Sequence, residues 1–140
     1  MKIILIIMSI VYTLMAANAE DAAFALDFEE EYKVALNKAK EENKLLMLLV
    51  VQEPCPYCDR MVHNTLSDPL VKKELKNFVS VVIDKHGEMP QSFRTNLVPM
   101  VFFIEPKTEV GVWESMGYSK TADFLGDLEE AQLIREKSKE

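Results

Sequence analysis

Short apolar runs, separated by charged segments, predict the strands of this chain. Residues 45–51 are apolar without interruption, and residues 78–83 are largely β-branched. Runs of this length are too short for a buried helix and are typical of strands covered on both faces. Residues 100–104 form a third apolar run, and after a turn residues 110–114 fit its hairpin partner. The pattern predicts a central mixed sheet of about four to five strands.

The segment before the first strand shows helical spacing. Residues 27–42 repeat apolar side chains three and four positions apart, and their opposite face carries Lys and Glu. Asp27 and Glu30 have the spacing of a capping box, so we expect the helix to begin at Asp27. A second helix is predicted over residues 59–66.

Cap and turn residues predict the remaining helices. Asp68 can act as the N-cap of a further helix, with Pro69 at its first position and an end near residue 76. One or two helical turns are expected over residues 89–97, and a final amphipathic helix over residues 120–137. The alternation of helices and strands predicts a single α/β domain with helices on both faces of the sheet.

The N-terminus has the pattern of a secretory leader. Lys2 precedes a long apolar run, which ends at the small residues Ala17-Asn18-Ala19. The run falls short of the roughly 20 residues that span a bilayer, which argues against an uncleaved anchor. We therefore predict that residues 1–19 are a signal peptide, cleaved after Ala19, and that residues 20–140 are one periplasmic or secreted domain.

The charge balance limits the class of partner. The chain carries 23 acidic and 16 basic residues, for a formal net charge of −7 at pH 7. Such an acidic protein is poorly suited to a phosphate backbone, so nucleic acid is not an expected partner. No residue pattern indicates an oligomeric state.

The two cysteines of the chain carry the candidate chemistry. Cys55 and Cys58 form a Cys-Pro-Tyr-Cys motif between a predicted strand and a predicted helix. In an exported protein they are expected to pair with each other. A thiol at a helix N-terminus is favoured as the thiolate by the free N–H groups and the helix dipole. We predict that Cys55 is the attacking nucleophile and that the shielded Cys58 resolves the mixed disulfide.

A Cys-x-x-Cys pair also occurs in metal sites. A closed zinc site needs four ligands, whereas this chain has no second cysteine pair and only two imidazoles, His63 and His86. No metal site is therefore predicted. A purely structural disulfide is disfavoured because so short a loop constrains the unfolded chain little.

A non-enzymatic binding module is the alternative hypothesis. It would hold a partner protein or Cu(I) through the two thiols. Methionines could supply further soft ligands for copper: Met61, Met89, Met100 and Met116. Methionines at helix and strand positions more often fill the core.

A second motif and the order of elements together resemble a known family. Val98-Pro99 precedes the predicted third strand, where a cis X-Pro bond is plausible. With the Cys-x-x-Cys motif, residues 20–140 resemble the thioredoxin superfamily almost throughout. They are more narrowly similar to exported, single-domain thioredoxin-like proteins of bacteria in four stretches: the amphipathic segment 27–44, Cys58-Asp59-Arg60-Met61, Asp68-Pro69-Leu70-Val71 through Phe78-Val79, and Gly117-Tyr118 followed by Phe124-Leu125.

This resemblance implies a site and a chemistry. Pro99 would be cis and lie beside the Cys55–Cys58 disulfide, while the Val98 backbone would pair with an extended substrate segment. Tyr57 and the Val98 loop would form the rim of a shallow apolar groove for protein substrates, and Pro56 would bind substrate beside Tyr57. The resemblance implies no cofactor beyond the redox-active disulfide. It also favours a reductase whose substrates are protein thiols and disulfides and which a membrane redox partner resets.

The chain departs from the thioredoxin pattern near the cysteines. Pro54 replaces the aromatic residue that precedes the first cysteine, and Leu49 replaces the buried carboxylate that accepts a proton from the resolving thiol. Glu53 is the candidate substitute for that proton transfer, or else a solvated loop charge. The Pro56-Tyr57 dipeptide is that of glutaredoxins, but the basic glutathione-recognition residues are missing. The direction of electron flow stays open among reductase, oxidase and isomerase.

Overall fold

The computed structural model describes residues 18–140. Its described part has five α-helices: α1 (Ala19–Leu26), α2 (Tyr32–Glu42), α3 (Pro56–Arg60), α4 (Pro69–Leu75) and α5 (Thr121–Lys137). It has four strands: β1 (Leu45–Val51), β2 (Phe78–Asp84), β3 (Met100–Glu105) and β4 (Val110–Met116). The strands form one sheet in the order β2-β1-β3-β4. Because β1 and β2 are parallel and the other pairs antiparallel, the predicted mixed α/β sheet is confirmed.

Strand β1 lies at the centre of the sheet and is buried along its whole length. Its alternate residues Leu45, Met47, Leu49 and Val51 pack into a core with α1, α3, α4 and α5. The residues between them pack into a second core against α2. Helices therefore cover both faces, and the uninterrupted apolar run is explained by a strand without a solvated side.

The other predicted strands are confirmed with small changes at their ends. β2 is parallel to β1, so the carboxyl ends of both strands lie at the same edge of the sheet. β4 is the edge strand opposite β2, and its residues are mostly exposed. The loop after β1 leads directly to Cys55 and to α3, which contains Cys58, so both cysteines lie at this carboxyl edge.

The start of α4 is confirmed as predicted. The Asp68 carboxylate accepts a hydrogen bond from the Leu70 backbone N–H at 2.8 Å, and Pro69 occupies the first turn. A second carboxylate oxygen of Asp68 accepts a hydrogen bond from the Thr121 hydroxyl at 3.4 Å. The cap therefore also joins α4 to the beginning of α5.

The prediction of one helix over residues 27–42 is wrong at its beginning. Asp27 is the C-cap of α1, in the left-handed region at φ 57°, and its side chain caps no later helix. The chain is then extended, and Glu29 forms a parallel bridge to Val81 of β2. α2 begins only at Tyr32. Glu29 uses its backbone N–H and C=O to continue the sheet, so that stretch cannot also start a helix.

The predicted helix over residues 59–66 is interrupted. α3 ends at Arg60, and Met61–Thr65 form a π-helical turn in which the Leu66 N–H reaches the Met61 carbonyl at 2.9 Å. The Ser67 hydroxyl donates to the Val62 carbonyl at 2.6 Å. Side chains thus take part in the hydrogen bonding of this wider turn.

Two further expectations concern the remaining segments. Over residues 89–97 the helical part is a single short 3₁₀ turn, Gln91–Phe93.

The predicted leader lies outside the described residues except for Asn18 and Ala19, which cap and begin α1. Across residues 18–140, no helix combines the length and apolar composition needed to cross a bilayer.

Candidate redox site

Cys55 and Cys58 form a disulfide at the start of α3, with their Cα atoms 5.2 Å apart. Cys55 is the N-cap residue of α3, with an extended backbone, and Pro56 occupies the first turn. Proline fits there because that turn has no helical acceptor for its missing N–H. The local sequence therefore fixes the first sulfur at the helix N-terminus and the second one turn later.

The environment of the Cys55 sulfur is that of a helix N-terminus. The backbone N–H of Cys58 donates a hydrogen bond to the Cys55 sulfur at 3.1 Å. The Asp59 N–H donates to the Cys55 carbonyl at 3.1 Å. A donor aimed at the sulfur favours its negatively charged form once the disulfide is opened.

The two cysteines differ in exposure. Cys55 is 8% exposed, whereas Cys58 is 0% exposed. Both belong to the core between β1 and the helices on its face, and Leu49 is a member of the same core. Of the two cysteines, only Cys55 keeps any solvent-exposed surface, while Cys58 is fully shielded.

Tyr57 forms an exposed aromatic surface beside the disulfide. Its side chain is 56% exposed. Its ring centroid lies 6.5 Å from that of Tyr118, and the Arg60 guanidinium lies 5.6 Å from the Tyr57 ring centroid. Pro56 is exposed as well. These contacts orient the Tyr57 ring without burying it.

The loop before β3 packs against the same region. The Val98–Pro99 peptide bond is cis, as is that between Glu53 and Pro54. Val98 is half-buried and packs on both cores, while Pro99 is buried. The Pro99 carbonyl accepts a hydrogen bond from the Gly117 N–H at 2.8 Å.

Exposed apolar side chains near Gly117 extend the surface around the Val98-Pro99 loop. They were not identified from the sequence as substrate-binding residues. Gly117 has φ 74°, in the left-handed region that favours glycine. Met116, which precedes it, pairs with Met100 at the end of the sheet and is 66% exposed, and Leu97 is 49% exposed. Leu97 could have been found from the sequence because it directly precedes Val98-Pro99. Met116 is brought to the same loop by the hydrogen bond between Gly117 and Pro99.

Glu53, the candidate for proton transfer, is exposed in the loop between β1 and α3. Leu49, at the position of the replaced carboxylate, is fully buried. The structure thus places Glu53 at the surface and an apolar side chain in the core.

The residues considered for metal binding are dispersed. His63 and His86 are exposed. Three of the four methionines are buried in the cores, and only Met116 is exposed. Within residues 18–140, no three His, Cys, Asp or Glu side chains are grouped so that they could hold a metal ion.

Comparison with known proteins places the chain in a structural context. A family model described as thioredoxin-like matches residues 27–106, more than half of the chain. Anterior gradient protein 1 of Xenopus laevis is 29% identical over 115 residues, which cover 74% of this chain and 61% of that protein. The chain therefore spans about three fifths of the length of this curated relative.

Solved structures show the same fold. A thioredoxin from Thermus thermophilus superposes with a TM-score of 0.64 at 28% identity, over 74% of this chain and 85% of that one. The reduced form of the periplasmic thioredoxin SoxS from Paracoccus pantotrophus gives a TM-score of 0.53 at 19% identity, over 65% and 96%. The second likeness is one of fold alone.

Proposed function

Since the chain belongs to the thioredoxin-like family, we propose that it is a thiol-disulfide oxidoreductase that exchanges disulfides with protein substrates through Cys55 and Cys58. The observation that carries the proposal is the hydrogen bond from the Cys58 N–H to the Cys55 sulfur. It pairs a cysteine that keeps 8% of its surface exposed, at a helix N-terminus, with a fully buried partner one turn away. This asymmetry is what a nucleophile and a resolving thiol require.

In the reducing direction the dithiol gives two electrons to a substrate disulfide. The Cys55 thiolate attacks one substrate sulfur, so that a Cys55–substrate disulfide forms, the substrate disulfide breaks and one substrate thiolate leaves. Cys58, as the thiolate, then attacks the Cys55 sulfur. The Cys55–Cys58 disulfide forms and the second substrate thiolate leaves, which completes a balanced exchange.

We assign the binding of the substrate to the surface around the disulfide. Pro56 and Tyr57 follow Cys55 in α3, and Val98, in the loop before β3, packs on the core that contains both cysteines. The half-exposed Tyr57 ring supports this role because aromatic side chains bind apolar groups at little entropic cost. An extended substrate segment would pair with the Val98 backbone.

The proposed setting is the periplasm, with the protein acting mainly as a reductase. The N-terminal apolar run and the Ala17-Asn18-Ala19 motif support export. In such a compartment a reductase needs a source of electrons, and we assign that role to a membrane redox partner that reduces the Cys55–Cys58 disulfide.

Reduction of insulin by dithiothreitol tests the proposed activity. The protein should accelerate precipitation of the insulin B chain, and both Cys55→Ser and Cys58→Ser should return the rate to the uncatalysed level. His63→Ser is the matched control, since it changes an exposed residue after the motif and should keep the parent rate. Full acceleration by Cys55→Ser would contradict the proposal.

A further inference from the structure

A groove beside the edge strand β2 is separate from the redox site. It has a volume of about 690 Å³ and lies between the beginnings of α1 and α2, the end of β2 and the loop after β2. Most of its apolar lining belongs to the core on the side of the sheet that α2 covers, whereas Cys55 and Cys58 belong to the core on the other side. Ligand sites in proteins commonly occupy about 300–1,000 Å³, so this groove, called the β2 groove below, is large enough for one.

The floor of the β2 groove is apolar, and one wall depends on a glycine. The floor includes Leu36, Ile83 and Met89, which keep no more than 8% of their surface exposed. Gly87 in the wall donates its N–H to the Asp84 carbonyl at 2.7 Å. A Cβ at Gly87 would lie 2.7 Å from a methyl carbon of Ile83, so only glycine lets the loop approach β2 this closely.

Carboxylates surround this apolar floor. Lys33 is the one cation among the lining residues, and its amino group already pairs with Glu88 at 3.2 Å. The lining residues with carboxylates are Glu20, Glu30, Glu31, Asp84, Glu88 and Glu109. Because like charges repel each other and attract a cation, the rim of the β2 groove favours a partner with several positive charges.

Three of these carboxylates are not engaged by the described part of the chain. Glu109 accepts a hydrogen bond from the Tyr32 hydroxyl at 3.2 Å, and Glu88 has Lys33. Within residues 18–140, exposed carboxylates without a hydrogen bond or ion pair belong to Glu20, Glu30 and Glu31. Their charges are therefore available to a partner.

We propose that the β2 groove binds a segment of a partner protein in which Lys or Arg alternates with apolar side chains. The cations face the carboxylates of the rim, and the apolar side chains cover the floor. Both parts are needed, because the floor exposes little apolar surface and salt screens the exposed rim charges. The proposal does not depend on the redox chemistry, since neither cysteine lines the groove.

Fluorescence anisotropy with labelled hexapeptides tests the chemistry of the partner. A peptide of three Lys-Leu repeats should bind at least about tenfold more tightly than three Lys-Ser repeats or three Glu-Leu repeats. Equal affinity for the Lys-Leu and Lys-Ser peptides would mean attraction to the net charge alone and would overturn the proposal. So would the absence of Lys-Leu binding up to about 1 mM peptide.

Paired charge removals locate the contribution of the rim. Glu30→Gln combined with Glu31→Gln should weaken binding of the Lys-Leu peptide by about tenfold. Glu129→Gln combined with Glu130→Gln removes the same number of charges from α5, outside the groove, and should stay within about twofold of the parent affinity. Equal weakening by the two pairs would overturn the proposal.

Labelling with ¹⁵N-glycine shows where the peptide binds without any substitution. The chain has four glycines, of which Gly87 lines the β2 groove, Gly117 contacts the loop beside the redox site and Gly126 lies on α5. The Lys-Leu peptide should shift the amide resonance of Gly87 and leave those of Gly117 and Gly126 unchanged. A largest shift at Gly117 would place the peptide on the redox surface and overturn the proposal. Failure of the insulin assay would remove the proposed function but leave this result intact.

Discussion

The Cys58 backbone N–H donates to the Cys55 sulfur at 3.1 Å, while the Cys58 side chain itself is fully buried. One residue thus stabilises the attacking sulfur through its backbone and supplies the resolving sulfur through its side chain. Cys58→Ser keeps the backbone donor, so the variant should attack a substrate disulfide and stop at the mixed disulfide. Mass spectrometry without reductant should show a covalent adduct that dithiothreitol removes. Adduct formation by Cys55→Ser instead would reverse the assigned roles.

Arg135 of α5 connects that helix to the end of β3 and to the segment before β1. Its guanidinium donates to the Glu105 carboxylate at 2.8 Å and to the backbone and side-chain oxygens of Asn43 at 3.0 and 3.1 Å. Because the group is buried, Arg135→Ala should lower the free energy of unfolding by about 3 kcal/mol. Urea denaturation measures this loss. Lys139→Ala, which removes an exposed ion pair, should show no measurable change. Equal stability of the two variants would contradict this account.

Asp127 fastens β4 to α5. Its carboxylate accepts hydrogen bonds from the Ser115 hydroxyl at 2.6 Å and from the Trp113 ring N–H at 3.0 Å. Asp127→Ala leaves the buried Ser115 hydroxyl without its acceptor and should cost about 1–2 kcal/mol of unfolding free energy. The exposed Glu129 on the same helix provides the control, and Glu129→Ala should change little. A thermal-unfolding midpoint for Asp127→Ala that equals that of the parent would refute the role of this contact.

Tyr32 makes the free energy of unfolding fall as the pH rises through the alkaline range. Burial, and then the carboxylate of Glu109 that accepts its hydroxyl hydrogen bond at 3.2 Å, raise the pKa of Tyr32 above its ordinary value. Above about pH 10 the unfolded chain loses this proton while the folded chain keeps it, so the unfolded state binds fewer protons. The contribution of Tyr32 to the free energy of unfolding is complete below the pKa that Tyr32 has in the unfolded chain. It is lost as the pH rises towards the higher pKa of the folded protein.

Tyr32→Phe should therefore reduce the fall in unfolding free energy between about pH 9 and pH 11. Glu109→Gln should reduce it in part, because the charge is the smaller of the two causes. Urea titrations across this range provide the measurement. Parallel pH profiles for the parent and Tyr32→Phe would show that Tyr32 does not control the slope.

The elements that the sequence predicted well are those in which one local signal decides the structure. β1 follows from an apolar run that has to be covered on both faces, and α4 from Asp68 and Pro69. The Cys55–Cys58 pair is likewise recognisable from its spacing and its place between a strand and a helix.

The errors occur where tertiary contacts override a local signal. Asp27 and Glu30 have capping-box spacing, yet the sheet recruits Glu29 as a bridge partner of Val81 and delays α2 until Tyr32. The exposed Met116 precedes Gly117, whose N–H donates a hydrogen bond to the Pro99 carbonyl. Such a contact between distant segments leaves no periodicity that a sequence pattern could reveal.

The reduction potential of the Cys55–Cys58 couple tests the central claim most directly. The protein would be equilibrated with dithiothreitol buffers of graded potential, its thiols trapped, and the reduced fraction determined, with Cys55→Ser and Cys58→Ser as controls. We predict a reversible two-electron couple closer to the value of about −270 mV for thioredoxin than to that of about −120 mV for DsbA. Absence of any reversible dithiol couple would contradict the proposed exchange chemistry, and a value near −120 mV would contradict the reductase assignment.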